Sequence, residues 1–254
     1  GSVETGKRIA LAAAEGLKEV TLELGGKNPI IIFPDADPAV AAKLAVKGMN
    51  MNRQGQSCSS TSRVMVHESM HDAVLEALVR EVEALPVGLP WEQGQEVGPI
   101  VSEQQYARVT GYIESAIEEG ASLVAGGRRP DDPRLANGYF VMPTVFNHVT
   151  SDMRIACEEI FGPVMSVITW SDYDEMINIA NSLEYGLTAS IVTNDLNRAM
   201  ETAERVDSGY VWVNGSGRYL GAPYGGWKHS GIGREECFEE LLSYTRGKNI
   251  NLRW

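Results

Sequence analysis

The run Pro29-Ile30-Ile31-Ile32-Phe33 limits the fold more than any other stretch of the chain. It is short, unbroken by polar residues and rich in β-branched side chains, so it reads as a strand buried on both faces. Asp37 then caps a helix with Pro38 at its first position, and Val40, Ala41, Leu44, Ala45 and Gly48 share one face of it. The alternation continues. Arg63 to His67 is a strand. Ser69 and Asp72 open a helix with Val74, Leu75, Leu78, Val82 and Leu85 as its stripe. Ser102 with Gln105 caps a long helix carrying Tyr106, Val109, Ile113 and Ile117 and closed by Gly120. Short strands at Leu123–Ala125, within Tyr139–Phe146 and through Thr169 precede a helix from Asp172 to Leu183. A strand from Leu187 to Thr193, a helix from Asp195 to Val206 and a strand from Gly209 to Val213 follow. The expected fold class is α/β: a mostly parallel twisted sheet with helices on both faces.

The totals exclude several functions. A formal charge of −12 over 254 residues opposes binding to nucleic acid or to an anionic membrane surface. No apolar run reaches bilayer length, and the first residues lack the apolar core of a signal peptide. Cys58, Cys157 and Cys237 are odd in number and widely spaced, which fits a reducing cytoplasm rather than a disulfide framework. No metal site is expected. His67-Glu68-Ser69-Met70-His71 matches H-E-x-x-H, but with Ser69 as a helix cap His67 falls at the end of a strand and the two His cannot share a helical face. Gly1 to Lys7 fits most of a phosphate-binding loop, yet Arg8 stands where Ser or Thr would hold Mg²⁺. What is left there is a small-residue helix start, with Ile9, Ala12, Ala13 and Leu17 as its apolar positions, able to meet a phosphate through free N–H groups. Asn214-Gly215-Ser216 is a formal glycosylation sequon that matters only in a secreted protein.

One stretch carries chemistry that the sheet does not need. Asn50 to Arg63 is polar and loop-like, lies between a helix and a strand, and holds Cys58. A thiol becomes a nucleophile as its thiolate, which nearby donors or cations favour. Arg53, Gln56, Arg63 and free backbone N–H groups are the local candidates. The competing reading is an inert, buried Cys. Asn214 to Gly233 is dense in Gly and aromatic residues and reads as a functional loop. Arg234 to Tyr244 reads as a helix, and Lys248 to Arg253 as a lone terminal strand that needs a partner outside this sheet.

Glu23-Leu24-Gly25-Gly26-Lys27, Gly55-Gln56-Ser57-Cys58, Glu159-Ile160-Phe161-Gly162-Pro163, Pro223-Tyr224-Gly225-Gly226 and Lys228 to Glu235 together resemble the aldehyde dehydrogenase superfamily. Each is weak alone, but their shared order and spacing are specific and cover essentially the whole chain. The resemblance is to the second half of a non-acylating member. It implies the end of a dinucleotide-binding domain at 1–25, a catalytic domain at 26–231, a C-terminal helix at 232–246 and an oligomerisation strand at 247–254. The chain begins without Met and inside a motif, so it is expected to be a fragment and a poor dehydrogenase by itself.

By the same resemblance Cys58 is the nucleophile, Glu23 the base that activates water against a thioester, and Glu235 a proton relay. Glu159 would bond a nicotinamide ribose, Phe161 would pack against it, and Gly1, Ser2, Leu24 and Gly25 would border the cofactor. Asn52, Ser57, Tyr219 and Tyr224 match positions lining the aldehyde tunnel. Arg218 has no matching position; it would either favour an anionic substrate or be a surface residue. The implied cofactor is NAD or NADP, the partners a small-molecule aldehyde and further copies of the chain in a homodimer or homotetramer. Two alternatives stand beside this reading. One is a coenzyme A-acylating relative, a branch that generally lacks the base and is therefore disfavoured by Glu23. The other is an inactive half-enzyme serving as an assembly unit.

Overall fold

The computed structural model describes residues 1–254. In chain order the elements are α1 (Val3–Glu15), β1 (Leu22–Glu23), β2 (Pro29–Ile32), α2 (Pro38–Gly48), β3 (Arg63–His67), α3 (His71–Glu83), α4 (Glu103–Glu118), β4 (Ser122–Ala125), β5 (Thr144–Asn147), α5 (Arg154–Cys157), β6 (Val164–Trp170), α6 (Tyr173–Asn181), β7 (Tyr185–Gly186), β8 (Thr188–Val192), α7 (Leu196–Arg205), β9 (Tyr210–Val213), β10 (Trp227–Lys228), β11 (Gly231–Ile232) and α8 (Phe238–Ser243).

Seven strands form the main sheet in the order β4-β5-β6-β3-β2-β8-β9. All neighbours are parallel except β4, which runs antiparallel to β5 at one edge. The isoleucine run lies inside this sheet, and Ile30, Ile31 and Ile32 are each 0% exposed. Because successive strand residues point to opposite faces, Ile31 joins one apolar core while Ile30 and Ile32 join the other. Helices α2 and α3 cover the Ile30 face with Ala41, Ala45, Val74, Leu78 and Val82. Helices α4, α6 and α7 cover the Ile31 face with Val109, Ile113, Met176 and Ala199. The expected fold class is thus the observed one.

Capping read from sequence holds where it is local. Asp37 accepts from the Val40 N–H at the start of α2, and Ser102 from the Gln105 N–H at the start of α4. Ser69 differs. It does not cap α3, because its N–H and hydroxyl are engaged by the ring of His67, and a short 3₁₀ turn intervenes before His71. His67 ends β3 and His71 starts α3, with its Nε2 2.8 Å from Asn147.

Other expectations are corrected. Leu17 lies beyond α1 with positive φ and is exposed, since the helix stops at Glu15. Val40 and Ile117 are exposed; Ala42 and Tyr112 take the buried positions instead. Residues 234–237 are not helical: Glu235 exchanges backbone hydrogen bonds with Tyr224 (2.7 and 2.9 Å), so the helix expected from 232 starts only at Phe238. Lys248 to Arg253 has no hydrogen-bonded neighbour within the chain, as expected of a segment whose partner would lie outside this sheet.

Two small antiparallel pairings shape the site edge. Leu22 and Glu23 of β1 pair with Ile232 and Gly231 of β11. Trp227 and Lys228 of β10 pair with Gly186 and Tyr185 of β7. The first brings the Gly-rich C-terminal segment against the beginning of the chain, the second against the turn before β8.

Candidate active site

A cleft of about 610 Å³ opens where three parallel strands begin. Cys58 precedes β3, Glu23 and Gly25 precede β2, and Glu159 and Phe161 precede β6. The cleft also takes in Gly1, Ser2, Arg53, Ser57, Arg108 and Arg218. Open parallel sheets usually bind ligands at the carboxyl ends of their strands; here the candidate groups gather at the amino ends.

The Cys58 loop is built by left-handed turns and a bracing amide. Asn50, Gln54 and Gly55 all have positive φ. At Gly55 a Cβ would also collide with the Gly162 carbonyl, so glycine is required by conformation and by space. Ser60 Oγ donates to the Met49 and Gly55 carbonyls (2.9 and 3.2 Å), closing the loop on itself. Asn28 Nδ2 donates to the carbonyls of Cys58 (2.7 Å) and Ser60 (3.0 Å), fixing it to β2. The Cys58 N–H meets no acceptor within the chain and remains available for an oxyanion.

The cations around Cys58 differ from those expected. Arg63 is spent elsewhere: its guanidinium donates to the carbonyls of Lys27 (2.8 Å), Ile179 (2.9 Å) and Ala180 (2.8 Å) and is buried. Gln56 is held by Val101 N–H and by Gln54. The cation that acts on the thiol is Arg218, stacked 3.9 Å above the ring of Tyr224 and ion-paired to Glu236. Burial nevertheless pushes the Cys58 thiol up; the Tyr224 hydroxyl, 4.0 Å from Sγ, pulls it down and the Glu23 charge pushes it up further. A thiol in this state needs a base or a cation at the moment of attack.

Glu23 is the unusual carboxylate. Both of its side-chain oxygens are buried and neither has a hydrogen-bond partner. Burial, then the nearby Glu235 charge, raise it to about 7. Such a group can take a proton near neutral pH. Glu159 is also raised by burial, but its Oε1 accepts from the Gly26 N–H at 3.0 Å, which opposes the rise. A Cβ on Gly25 would strike the Glu159 carboxylate, so glycine here keeps Glu159 seated.

Phe161 has positive φ and is partly exposed at the cleft. Its carbonyl and that of Ile160 accept from Gln105 Nε2 at 2.9 Å each. Gln105 thus holds the neighbouring turn rather than closing a capping box. Arg108 Nη2 donates to the Glu159 carbonyl (2.7 Å). Neither residue is marked as a site residue by the sequence, although their i, i+3 spacing on α4 puts them on one face. Leu24 is buried against Gly6 of α1 and does not line the cleft. Gly1 and Ser2 line it, and Ser2 Oγ caps α1. Tyr224 is buried beside Cys58, and Ser57 borders it.

Asn52 and Tyr219 are not brought to Cys58. Asn52 faces a separate open depression with Lys43 and Glu81, because the turn after Asn50 carries it outward. Tyr219 is 72% exposed and borders a hollow beside β9, its N–H donating to the Tyr210 hydroxyl.

Residues 1–250 match the sequence pattern of the aldehyde dehydrogenase family. The chain is 49% identical to the aldehyde dehydrogenase tropH of Talaromyces stipitatus over 257 aligned residues, covering 99% of this chain and 50% of that protein. It is 43% identical to the betaine aldehyde dehydrogenase of Bacillus subtilis, covering 98% of this chain and 51% of that one. Among solved structures, the NAD⁺ complex of an aldehyde dehydrogenase from Bacillus cereus superposes with a TM-score of 0.92 at 44% identity, covering 97% of this chain and 49% of that one. The aldehyde dehydrogenase of Mycobacterium tuberculosis complexed with NAD⁺ gives 0.93 at 42%, covering 97% and 50%. The chain spans about half the length of the curated relatives it matches. Matched over nearly its whole length in sequence and superposing closely in structure, the chain belongs to the aldehyde dehydrogenase family.

Proposed function

We propose that this chain carries the catalytic half of an enzyme that oxidises an aldehyde to a carboxylic acid with NAD or NADP. The observation that carries the reading is Glu23: a carboxylate with no partner, raised to about 7, facing the cleft that holds Cys58.

Cys58 Sγ attacks the carbonyl carbon as a thiolate, giving a thiohemiacetal whose oxyanion meets the free Cys58 N–H. Arg218 and the Tyr224 hydroxyl favour the thiolate. A nicotinamide held in the cleft would supply the hydride acceptor that turns this thiohemiacetal into a thioester on Cys58. Glu23 then takes a proton from the water that hydrolyses this thioester, and Glu235, whose charge acts on Glu23, relays that proton outward. Ser57 and Tyr224 border the aldehyde.

The residues present suit a nicotinamide nucleotide on the α1 side of the cleft. Gly25 leaves room that a Cβ would fill, Glu159 offers a carboxylate to ribose hydroxyls, and Phe161 an exposed ring face. Gly1 and Ser2 open α1 toward the same space, where the helix start suits a phosphate. The relatives solved with NAD⁺ support this assignment. The tail beyond α8 keeps Ile250, Leu252 and Trp254 exposed, which fits pairing with a second copy in a homodimer or homotetramer. The unpaired cysteines fit a reducing compartment such as the cytoplasm.

The test is to trap the acyl group. In an active enzyme containing this chain, Glu23→Gln incubated with aldehyde and NAD⁺ is expected to carry one acyl group on the Cys58 peptide by mass spectrometry. Absence of any adduct on Cys58 while carboxylic acid is still made would overturn the assignment.

A further inference from the structure

Lys27 has no part in the chemistry above, yet it is only 1% exposed. Its Nζ finds no acceptor within the chain. Lysines are almost never buried without a partner. Burial, and then the Arg63 charge, push its ammonium down to about 7. An apolar side chain of similar length would fill the same space at a smaller cost to the fold. Packing therefore gives no reason for a lysine here, and a breach of this kind points to a function.

The groups whose charges reach Lys27 narrow that function. Arg63 repels it and is committed to three backbone carbonyls. Cys157 is kept a thiol by burial and donates to the Ser151 carbonyl (3.1 Å). The Glu158 carboxylate is taken by the Tyr112 hydroxyl (2.6 Å) and by Arg154 (3.1 Å). Glu159 is left as the carboxylate that no cation bonds, since Arg108 reaches only its backbone carbonyl and the Tyr112 hydroxyl. Its Oε1 rests on the Gly26 N–H, one residue before Lys27, and its Oε2 lies where a Cβ on Gly25 would fall. Burial raises Glu159. The Gly26 N–H opposes that rise first and the Lys27 charge second, ahead of Arg108 and the Gly1 amino group. Tyr185 also faces Glu159, but burial keeps it an uncharged phenol.

We propose that Lys27 is a positioning residue for Glu159: the buried ammonium beside the Gly25–Gly26 seat is the counter-charge that keeps this carboxylate an anion able to accept from a nicotinamide ribose. The inference rests on the cofactor-binding reading of Glu159. Lys27 does not line the cleft, so it acts through Glu159 and touches neither aldehyde nor cofactor. The coupling runs both ways, each charge lowering the cost of burying the other. Lys27 carries its charge below about 7, so its effect is to extend the range of ionised Glu159 toward acid.

Two titrations of this chain test the pair without turnover. Glu159→Gln keeps an acceptor for the Gly26 N–H but removes the charge. In it the midpoint of the Lys27 ε-carbon, followed by carbon-13 NMR, should fall by about one pH unit. In Lys27→Met the midpoint of the Glu159 carboxyl band should rise by a similar amount, as reciprocity requires. That band is isolated by infrared difference against Lys27→Met/Glu159→Gln. Lys27→Met should also melt no earlier than the parent. A Lys27 midpoint indifferent to Glu159→Gln overturns the proposal, whether or not Lys27→Met folds. In an active enzyme containing this chain, Lys27→Met should weaken NAD⁺ binding about tenfold at acid pH and less than about twofold at pH 8. In the Glu159→Gln background the same substitution should change nothing. A loss of affinity that is the same at every pH would mean that Lys27 acts on the fold, and overturns the positioning role. Coupled midpoints with parental NAD⁺ affinity in Glu159→Gln support the charge pair and overturn only the cofactor reading of Glu159.

Discussion

Glu23 and Glu159 face one cleft, and both are raised by burial. They differ in what surrounds the carboxylate. Glu159 sits in a made socket: the Gly26 N–H at 3.0 Å, Gly25 without a side chain, and Arg108 holding its carbonyl. Glu23 has walls but no donors. A carboxylate given a donor is held as an anion in one orientation and suits positioning. A carboxylate denied every donor keeps its lone pairs for a water and its proton affinity near neutrality. Two buried carboxylates in one cleft are thus suited to different jobs.

The sharpest way to break that comparison is to neutralise each in an active enzyme containing this chain. Glu23→Gln is expected to lower steady-state turnover by roughly 10²–10⁴-fold while a burst of one reduced cofactor per site survives in stopped flow. Turnover at the parent rate would remove Glu23 as the base; loss of the burst would move its role to activating Cys58. Glu159→Gln should act on the other axis, weakening cofactor binding by about ten- to a hundredfold in a direct titration. A normal affinity with failed turnover would mean the two assignments are interchanged.

The pH profile sharpens the contrast. A base at Glu23 would work only ionised, so turnover should fall about tenfold per pH unit below about 7 while the burst stays. Glu159→Gln should leave that inflection in place. Stability moves with the opposite sign. Because Glu23 is raised in the folded state, the fold binds its proton more tightly than the unfolded chain does. Stability from this group is full below the ordinary carboxylate range and is lost as pH rises through about 7. Glu23→Gln should therefore melt later than the parent at pH 8 by about 1 kcal/mol, a figure reduced because the cleft is open to solvent screening. The smallest change is Gly25→Ala. Its Cβ would push only the mobile end of Glu159, so it should mimic Glu159→Gln in cofactor affinity and leave the melting temperature within a few degrees.

These contrasts were only partly legible in the sequence. The Cys58 loop, the caps at Asp37 and Ser102 and the isoleucine strand rest on local pattern, and they stand. Arg63 was misjudged because sequence proximity gave it to the thiol, whereas carbonyls of Lys27, Ile179 and Ala180 claim it in three dimensions. Glu235 was placed in a helix because its neighbours favour one; a backbone pairing with Tyr224 prevents it. Arg218 could not be assigned because its place depends on a loop returning across β9 to stack on Tyr224. Asn52 and Tyr219 lie close in sequence to site residues, but turns at positive φ and an exposed loop carry them away. For Arg63 the sequence hid a contact made by distant parts of the chain; for Arg218, Glu235, Asn52 and Tyr219 it hid the path of a turn or loop.

The Asn28 brace has a further consequence. Its amide donates to Cys58 and Ser60 and accepts from the Thr188 N–H at 3.0 Å, while its own carbonyl receives the Arg63 N–H at 3.2 Å. The thiol loop, β2, β3 and the start of β8 are therefore closed into one cooperative unit. Local opening of the loop would break bonds in the middle of the sheet, so amide exchange within β2 and β3 beside the brace should track global unfolding rather than loop fraying. The Cys58 thiol is thus presented by a segment bonded into the core of the sheet, whereas Arg218 stands on an exposed loop.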